Sequence, residues 1–304
     1  MFLRCSALSA FGLSQLSCTV RPSSSRGWRL CRFGIVTDCH YADADARNGR
    51  YYRESLEKLA ECVELMNAEK VDFLVELGDF KDEDAKPAED KTLSYLRAIE
   101  QVFQKFTGPT YHVLGNHDMD SISKKQFLSN VENTGIDPTR TYYSFDSEGS
   151  HFVVLDANFR SDGADYDHGN FDWTDANIPP GQLEWLADDL TGARGPVIVF
   201  VHQVFDAKDA HQIKNADEAR AILKSSGKVA AVFQGHKHKG GYSEMEGIHY
   251  YTLKAVVEGS GPESSSYAIV DIRPDGDITI TGYRKAEAKH LTPPSYRISG
   301  HNGK

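Results

Sequence analysis

Along the chain from residue 32 to residue 283, apolar positions recur in two rhythms: short continuous runs, and spacings of three and four. The two alternate. The run 33–37 is apolar and ends in polar residues, which predicts a buried strand. Leu56, Leu59, Val63 and Met66 fall three or four apart and predict a helix over 51–70. The same pattern gives a strand over 72–77, a loop over 78–86, an amphipathic helix over 92–106 and a strand over 110–114 that stops at Gly115.

Beyond that point the pattern predicts a hairpin, with strands over 142–145 and 151–156 joined by a turn at 147–150. A polar loop with several aromatics follows over 158–180, and loops of that length tend to be functional. Next come a helix over 182–190, a very apolar strand over 196–201, a helix over 213–224 and a second central-type strand over 229–234. The end is β-rich, with strands over 242–246, 248–253, 267–271 and 278–283. No internal repeat or linker interrupts this order. It predicts one α/β domain over 32–290, with two sheets packed face to face and helices outside. Residues 1–31 read as a basic Ser/Arg-rich leader, and 291–304 as a tail.

Charge divides the chain in the same place. Residues 1–32 hold five arginines and no acid, so removing their +5 from the net −10 leaves −15 on the remainder. A body this acidic repels nucleic-acid polymers, whereas a small phosphorylated substrate is acceptable if bound cations offset the charge locally. No apolar run reaches the roughly 18 residues of a membrane span, so no membrane partner is expected. The five cysteines lack C-x-x-C spacing, and none follows Cys62, which favours a reducing compartment over a disulfide framework. The leader reads as a disordered or start-site extension, with an organellar targeting peptide as the competing reading, and the cytoplasm is the expected location. Oligomeric state is left open.

Chemistry concentrates at five strand ends, where open α/β sheets place their sites. In chain order these are Asp38-Cys39-His40, Gly78-Asp79-Phe80-Lys81-Asp82, Gly115-Asn116-His117-Asp118, His202, and Gly235-His236-Lys237-His238. Carboxylate oxygens and imidazole nitrogens suit Mn, Fe or Zn. Two such ions about 3.5–4 Å apart can clamp both oxygens of a phosphoryl transfer and supply hydroxide near neutral pH. Any one of these motifs alone is as compatible with a polar turn. Five in order, each after a strand, are not.

This series resembles the calcineurin-like metallophosphoesterase superfamily. The resemblance covers residue 32 to about 283. It implies a four-layer α/β/β/α sandwich of two mixed β-sheets and a dinuclear centre of divalent metals, manganese favoured. One metal would sit at Asp38, His40, Asp79 and His238, and the other at Asp79, Asn116, His202 and His236. His117 would be the general acid, oriented by Asp82. The implied reaction is hydrolysis of a small phosphate ester or phosphoanhydride, by in-line attack of hydroxide that the metals supply. Asp118 is the competing orienter of His117, and its plainer reading is a cap. The stretches Gly49-Arg50-Tyr51-Tyr52-Arg53 and His238-Lys239-Gly240-Gly241-Tyr242, with Val257-Glu258 beyond, are similar to the manganese-dependent ADP-ribose/CDP-alcohol diphosphatases. That family often carries Gln where this chain has His40, so a phosphomonoesterase and a cyclic-nucleotide phosphodiesterase stay open. Purple acid phosphatases carry a tyrosine where this chain has Asp82. Protein phosphatases carry arginines where it has Glu83 and Met119.

The other histidines, His112, His151, His168, His211, His249, His290 and His301, read as structural or surface groups, with His168 in the long loop the one to watch. Tyr166, Phe171 and Trp173 read as anchors of that loop. Lys237, Lys239, Arg50 and Arg53 read as solvated. A non-catalytic metal-binding scaffold is the competing function class, disfavoured because every ligand position and the acid are present.

Overall fold

The computed structural model describes residues 31–273 and 275–292. The leader expected over 1–31 therefore lies outside the described residues except for Cys31, as does the tail beyond Thr292.

Two six-stranded mixed sheets form the centre. The first contains β1 (Cys31–Val36), β2 (Phe73–Glu76), β3 (Thr110–His112), β10 (Ser266–Ile272), β11 (Ile278–Arg284) and β12 (Lys289–Leu291), in the order β12-β11-β10-β1-β2-β3. The second contains β4 (Tyr143–Ser147), β5 (Ser150–Val154), β6 (Val197–Val201), β7 (Val229–Gln234), β8 (Gly241–Met245) and β9 (Ile248–Thr252), in the order β4-β5-β6-β7-β9-β8. Strands β1, β2 and β3 run parallel, as do β5, β6, β7 and β9. The two inner faces meet in an aromatic core. Phe33 stacks on Phe73 at 5.0 Å and meets Phe152, Phe200 and Phe233 edge-on at 5.5, 5.7 and 5.8 Å.

Helices close both outer faces. Leu59, Cys62 and Met66 of α1 (Ser55–Glu69) and Leu96, Ile99 and Phe103 of α2 (Glu89–Phe103) pack on Val36, Leu74 and Ile269. Leu183, Leu186 and Leu190 of α4 (Pro180–Gly192) and Ala219 and Leu223 of α5 (Ala216–Ser226) pack on Val153, Val199 and Val232. This is the four-layer α/β/β/α sandwich that the resemblance implies. Among the described residues no helix is long and apolar enough to cross a membrane.

The differences from the sequence reading have local causes. Helix α1 starts at Ser55, not 51, because the Tyr51 amide is drawn to the Val257 carbonyl at 2.9 Å and residues 52–54 tighten into a 3₁₀ turn. Ile213 pairs with the Val204 carbonyl at 3.0 Å, which delays α5 to Ala216. A short helix α3 (Lys124–Leu128) is additional. Its signal was present as a capping box, in which Ser123 and Gln126 bond each other's backbone amides. His112 proves structural, as expected. It is buried between Glu76 and Glu100 at 3.3 and 3.2 Å; burial opposes its charge, but Glu100 and then Glu76 outweigh it and push its pKa up to about 10.

Candidate metal centre

The five motifs meet at one edge of the sandwich, and the backbone enforces the meeting. Past the end of β1, Asp38 and His40 donate amides to the carbonyls of Gly78 and Asp79 at 3.0 and 2.8 Å, so the first two motifs continue as a paired track. Gly115 is packed so closely that a Cβ there would collide with the Asp79 backbone and carboxylate. Four of the chemistry-bearing residues, Asp38, His40, Asp79 and His236, adopt left-handed backbone with φ of 53°, 46°, 55° and 64°. Such conformations cost non-glycine residues on the order of 1–3 kcal/mol each and persist only where the surroundings over-determine them.

The two central carboxylates divide their oxygens. Asp38 Oδ2 accepts from Thr37 Oγ1 (2.7 Å) and the His236 amide (3.1 Å), leaving Oδ1 inward. Asp79 Oδ1 accepts from the His117 amide at 2.8 Å, while Oδ2 lies 3.4 Å from His40 Nε2 and 3.1 Å from His202 Nε2. That second oxygen stands between two imidazole sets, which is where a bridging ligand belongs. Asp38, His40 and His238 bring their ligand atoms together on one side, and Asp79, His202 and His236 do so on the other. Asp38 Oδ1, Asn116 Oδ1, His202 Nε2 and His236 Nε2 are buried and make no hydrogen bond among the described residues. Buried polar atoms are rarely left this way, and Asp38 in one of the two ligand clusters with His202 and His236 in the other fits bound cations.

Electrostatics agree with that fit. Burial opposes ionisation of Asp38, but His238 and His40 outweigh it and hold the carboxyl well below the usual range. Asp79 is held low in the same way by His202, His117 and His40. Burial, reinforced by the His202 charge, drops His236 to about 3, leaving the neutral imidazole that metals bind.

The centre opens into a cleft of about 220 Å³. Asp79, Asn116 and His117 line it, with Arg50 on the side of His238, whose partner Glu258 it shares, and Trp173 and His211 on the side of His236, against whose ring both pack. A larger depression of about 460 Å³ beside Asp43, Arg53 and Lys91 has none of the converging orphan atoms.

The family profile described as calcineurin-like phosphoesterase matches residues 31–240. The chain belongs to that family. This calcineurin-like phosphoesterase is 31% identical to the manganese-dependent ADP-ribose/CDP-alcohol diphosphatase of Oryza sativa subsp. japonica, with 87% of this chain and 95% of the relative covered. It is 26% identical to the protein of the same name from Homo sapiens, with 86% and 95% covered. The solved dimetal phosphatase from Danio rerio superposes with a TM-score of 0.75 at 23% identity, covering 86% of this chain and 99% of that one. At that identity the superposition speaks for the fold.

Within this calcineurin-like phosphoesterase the structure brings together all seven expected ligand residues, and His117 beside them. It differs over the orienting carboxylate. Asp82 Oδ2 lies 2.9 Å from His40 Nδ1, and its other oxygen is 3.8 Å from His117 Nδ1. The partner of His117 is Asp120, at 2.6 Å. The cause is the 3₁₀ turn over His117–Met119, which carries the residue three positions on back over the ring. Burial opposes charge on His117, but Asp120, Asp79 and Asp82 outweigh it and push its pKa up to about 10. Asp118 is the cap, accepting the amides of Gly115, Asp79 and Phe80 at 2.8, 3.1 and 3.0 Å.

Three residues read as solvated, structural or anchoring line the cleft instead. Arg50 lies at one rim because residues 47–50 close a turn, with the Arg50 amide on the Arg47 carbonyl, and a backbone bridge joins Arg50 to Glu258. His211 is turned inward, with Nδ1 held by Asp209 at 2.8 Å. Trp173 is separated from its loop neighbours: Tyr166 and Phe171 stack on each other at 4.1 Å as the anchor, while Trp173 stays 41% exposed and 5.5 Å from His236. Lys237 pairs with Asp209 at 2.8 Å. His168 stays at the surface with Asp167 and Glu89.

Proposed function

We propose that this chain is a manganese-dependent hydrolase of nucleoside-diphosphate compounds of the ADP-ribose/CDP-alcohol kind, with two divalent metals bound at the seven ligands. The observation that carries this reading is the cleft. A guanidinium at one end and an indole at the other flank the converging ligand atoms, which suits a substrate with phosphate in the middle and a nucleoside to one side. The names and coverage of the curated relatives support the same reading.

When bound, the metals would supply hydroxide near neutral pH and positive charge for the phosphoryl oxygens. The chain's own residues do the rest. Asp79 stands between the two ligand sets and fixes their spacing. His117 carries a proton, because Asp120 accepts from Nδ1 and stabilises the imidazolium, and its other ring nitrogen delivers that proton to the leaving oxygen. Arg50 offers a charge-assisted donor to a second phosphate, and Trp173 a face for the base. The net charge of −10 disfavours polymeric nucleic acid, and the buried thiols of Cys39 and Cys62 suit a reducing, cytoplasmic setting.

Phosphomonoesterase activity is the second reading, favoured by the small volume of the cleft, about 220 Å³. A panel of ADP-ribose, CDP-choline, cyclic AMP and p-nitrophenyl phosphate with Mn²⁺ separates the two. The diphosphates are expected to give kcat/KM at least about tenfold above the monoester, a 1.4 kcal/mol preference. Equal or reversed rates would reject the nucleotide reading.

A further inference from the structure

Three of the four candidate imidazole ligands are held from behind at Nδ1, by unequal partners. His202 meets the Leu77 carbonyl at 2.8 Å, His40 meets Asp82 at 2.9 Å and His238 meets Glu258 at 2.7 Å. Both carboxylate-backed rings belong to the set that includes Asp38. Glu258 is part of none of the five motifs and lies on an irregular segment, yet that segment is firmly fixed. Val256 and Val257 donate amides to the Thr37 and Asp38 carbonyls at 3.2 and 3.1 Å, and Gly259 donates to Gly49 at 2.8 Å. Buried Lys58 donates to the Val256 and Gly259 carbonyls at 3.0 and 2.6 Å, and Lys285 donates to the Glu258 carbonyl at 2.5 Å. Taking an ammonium out of water to hold two loop carbonyls is costly, and the segment's one carboxylate is aimed at a ligand.

We infer that Glu258 is a positioning residue that, through His238, sets the affinity of one metal position, the one formed by Asp38, His40, Asp79 and His238. The inference rests on the two-metal reading above. A carboxylate accepting Nδ1–H fixes the tautomer, turns Nε2 to the metal and makes it more basic, and losing such a partner typically costs 10–100-fold in metal affinity. No hydrogen bond links Glu258 to Asn116, His202 or His236 among the described residues, so the other position keeps its affinity.

The test is titration of metal-free full-length protein with Mn²⁺, followed by calorimetry and by electron paramagnetic resonance of the free ion. Wild type is expected to take up two equivalents. Glu258→Gln weakens one of them by about 10–100-fold and leaves the other within about threefold. His238→Ala loses that same equivalent and Asn116→Ala the other. Activity of Glu258→Gln reaches its midpoint at correspondingly higher Mn²⁺. If Glu258→Gln melts early, Glu258→Asp, which keeps the carboxylate, replaces it and is expected to show a smaller selective loss. Two equivalents in wild type, with both unchanged or both equally weakened in the variants, overturn the role of Glu258 alone. Fewer than two in wild type overturns it together with the metal reading.

Discussion

The two ends of the cleft are built differently. At one end Arg50 is tied to a segment that is itself bonded to the strand end carrying Asp38, and its Nε lies 3.8 Å from Glu258. At the other end Trp173 hangs from a long loop. That loop is anchored at a distance, by the Tyr166–Phe171 stack and by buried Lys124, which reaches Asp156 and Asp165 at 2.7 Å each and sits 3.5 Å over Phe159. Among the described residues the indole's ring neighbours are His211 and His236. On the proposed reading, recognition of charge would be fixed to the sheet edge, and recognition of the rest of the substrate left to a loop. Loops carried on a rigid scaffold change more freely than the scaffold does.

Substitutions can break or sharpen this contrast. The largest effect is expected at the centre, which serves both ends. His117→Ala should lower kcat by about 10²–10⁴-fold on CDP-choline and ADP-ribose alike, and less on p-nitrophenyl phosphate, whose leaving group needs no proton. Unchanged kcat on the diphosphates would remove His117 from the mechanism. Arg50→Ala comes next. It should cut kcat/KM about 10–100-fold on diphosphates, the worth of one hydrogen bond to a charged group. Trp173→Ala should raise KM about tenfold for nucleotides with little change in kcat, and leave p-nitrophenyl phosphate nearly untouched. If Arg50 and Trp173 variants lose the same substrates to the same degree, the two ends are not functionally distinct.

The smallest effect lies away from both ends. His151, on β5, is bonded to Asp189 at 2.8 Å and Asp146 at 2.7 Å, which raises its pKa. A histidine raised above its unfolded value of about 6.5 contributes stability that is complete below that pH and is lost as pH rises through the folded value. Urea midpoints should therefore fall above about pH 6.5 in wild type and fall less in His151→Asn. The difference should stay below about 1 kcal/mol, because Asp146, one of the two partners, is open to solvent. Activity at a fixed pH should not change, which makes this variant the control for the other three.

The sequence carried the layers and the ligand set because both depend on short-range signals. An apolar run marks each central strand, and the chemistry sits within a few residues of its end. What stayed hidden depends on how the chain folds back. Asp120 reaches His117 only because residues 117–119 form a tight turn, a three-residue spacing that could have been tested had the turn been foreseen. Tyr166, Phe171 and Trp173 look alike in sequence, and only the path of the loop separates anchor from cleft wall. Glu258 is twenty residues beyond His238, and no periodicity links them.

The left-handed backbone at Asp38, His40, Asp79 and His236 has a consequence for durability. Glycine occupies that region freely, so His40→Gly would release local backbone strain, against the loss of a buried ring and of its bond to Asp82. Backbone strain and side-chain contacts pull in opposite directions there, and the melting temperature of the metal-free variant against wild type reads which is larger.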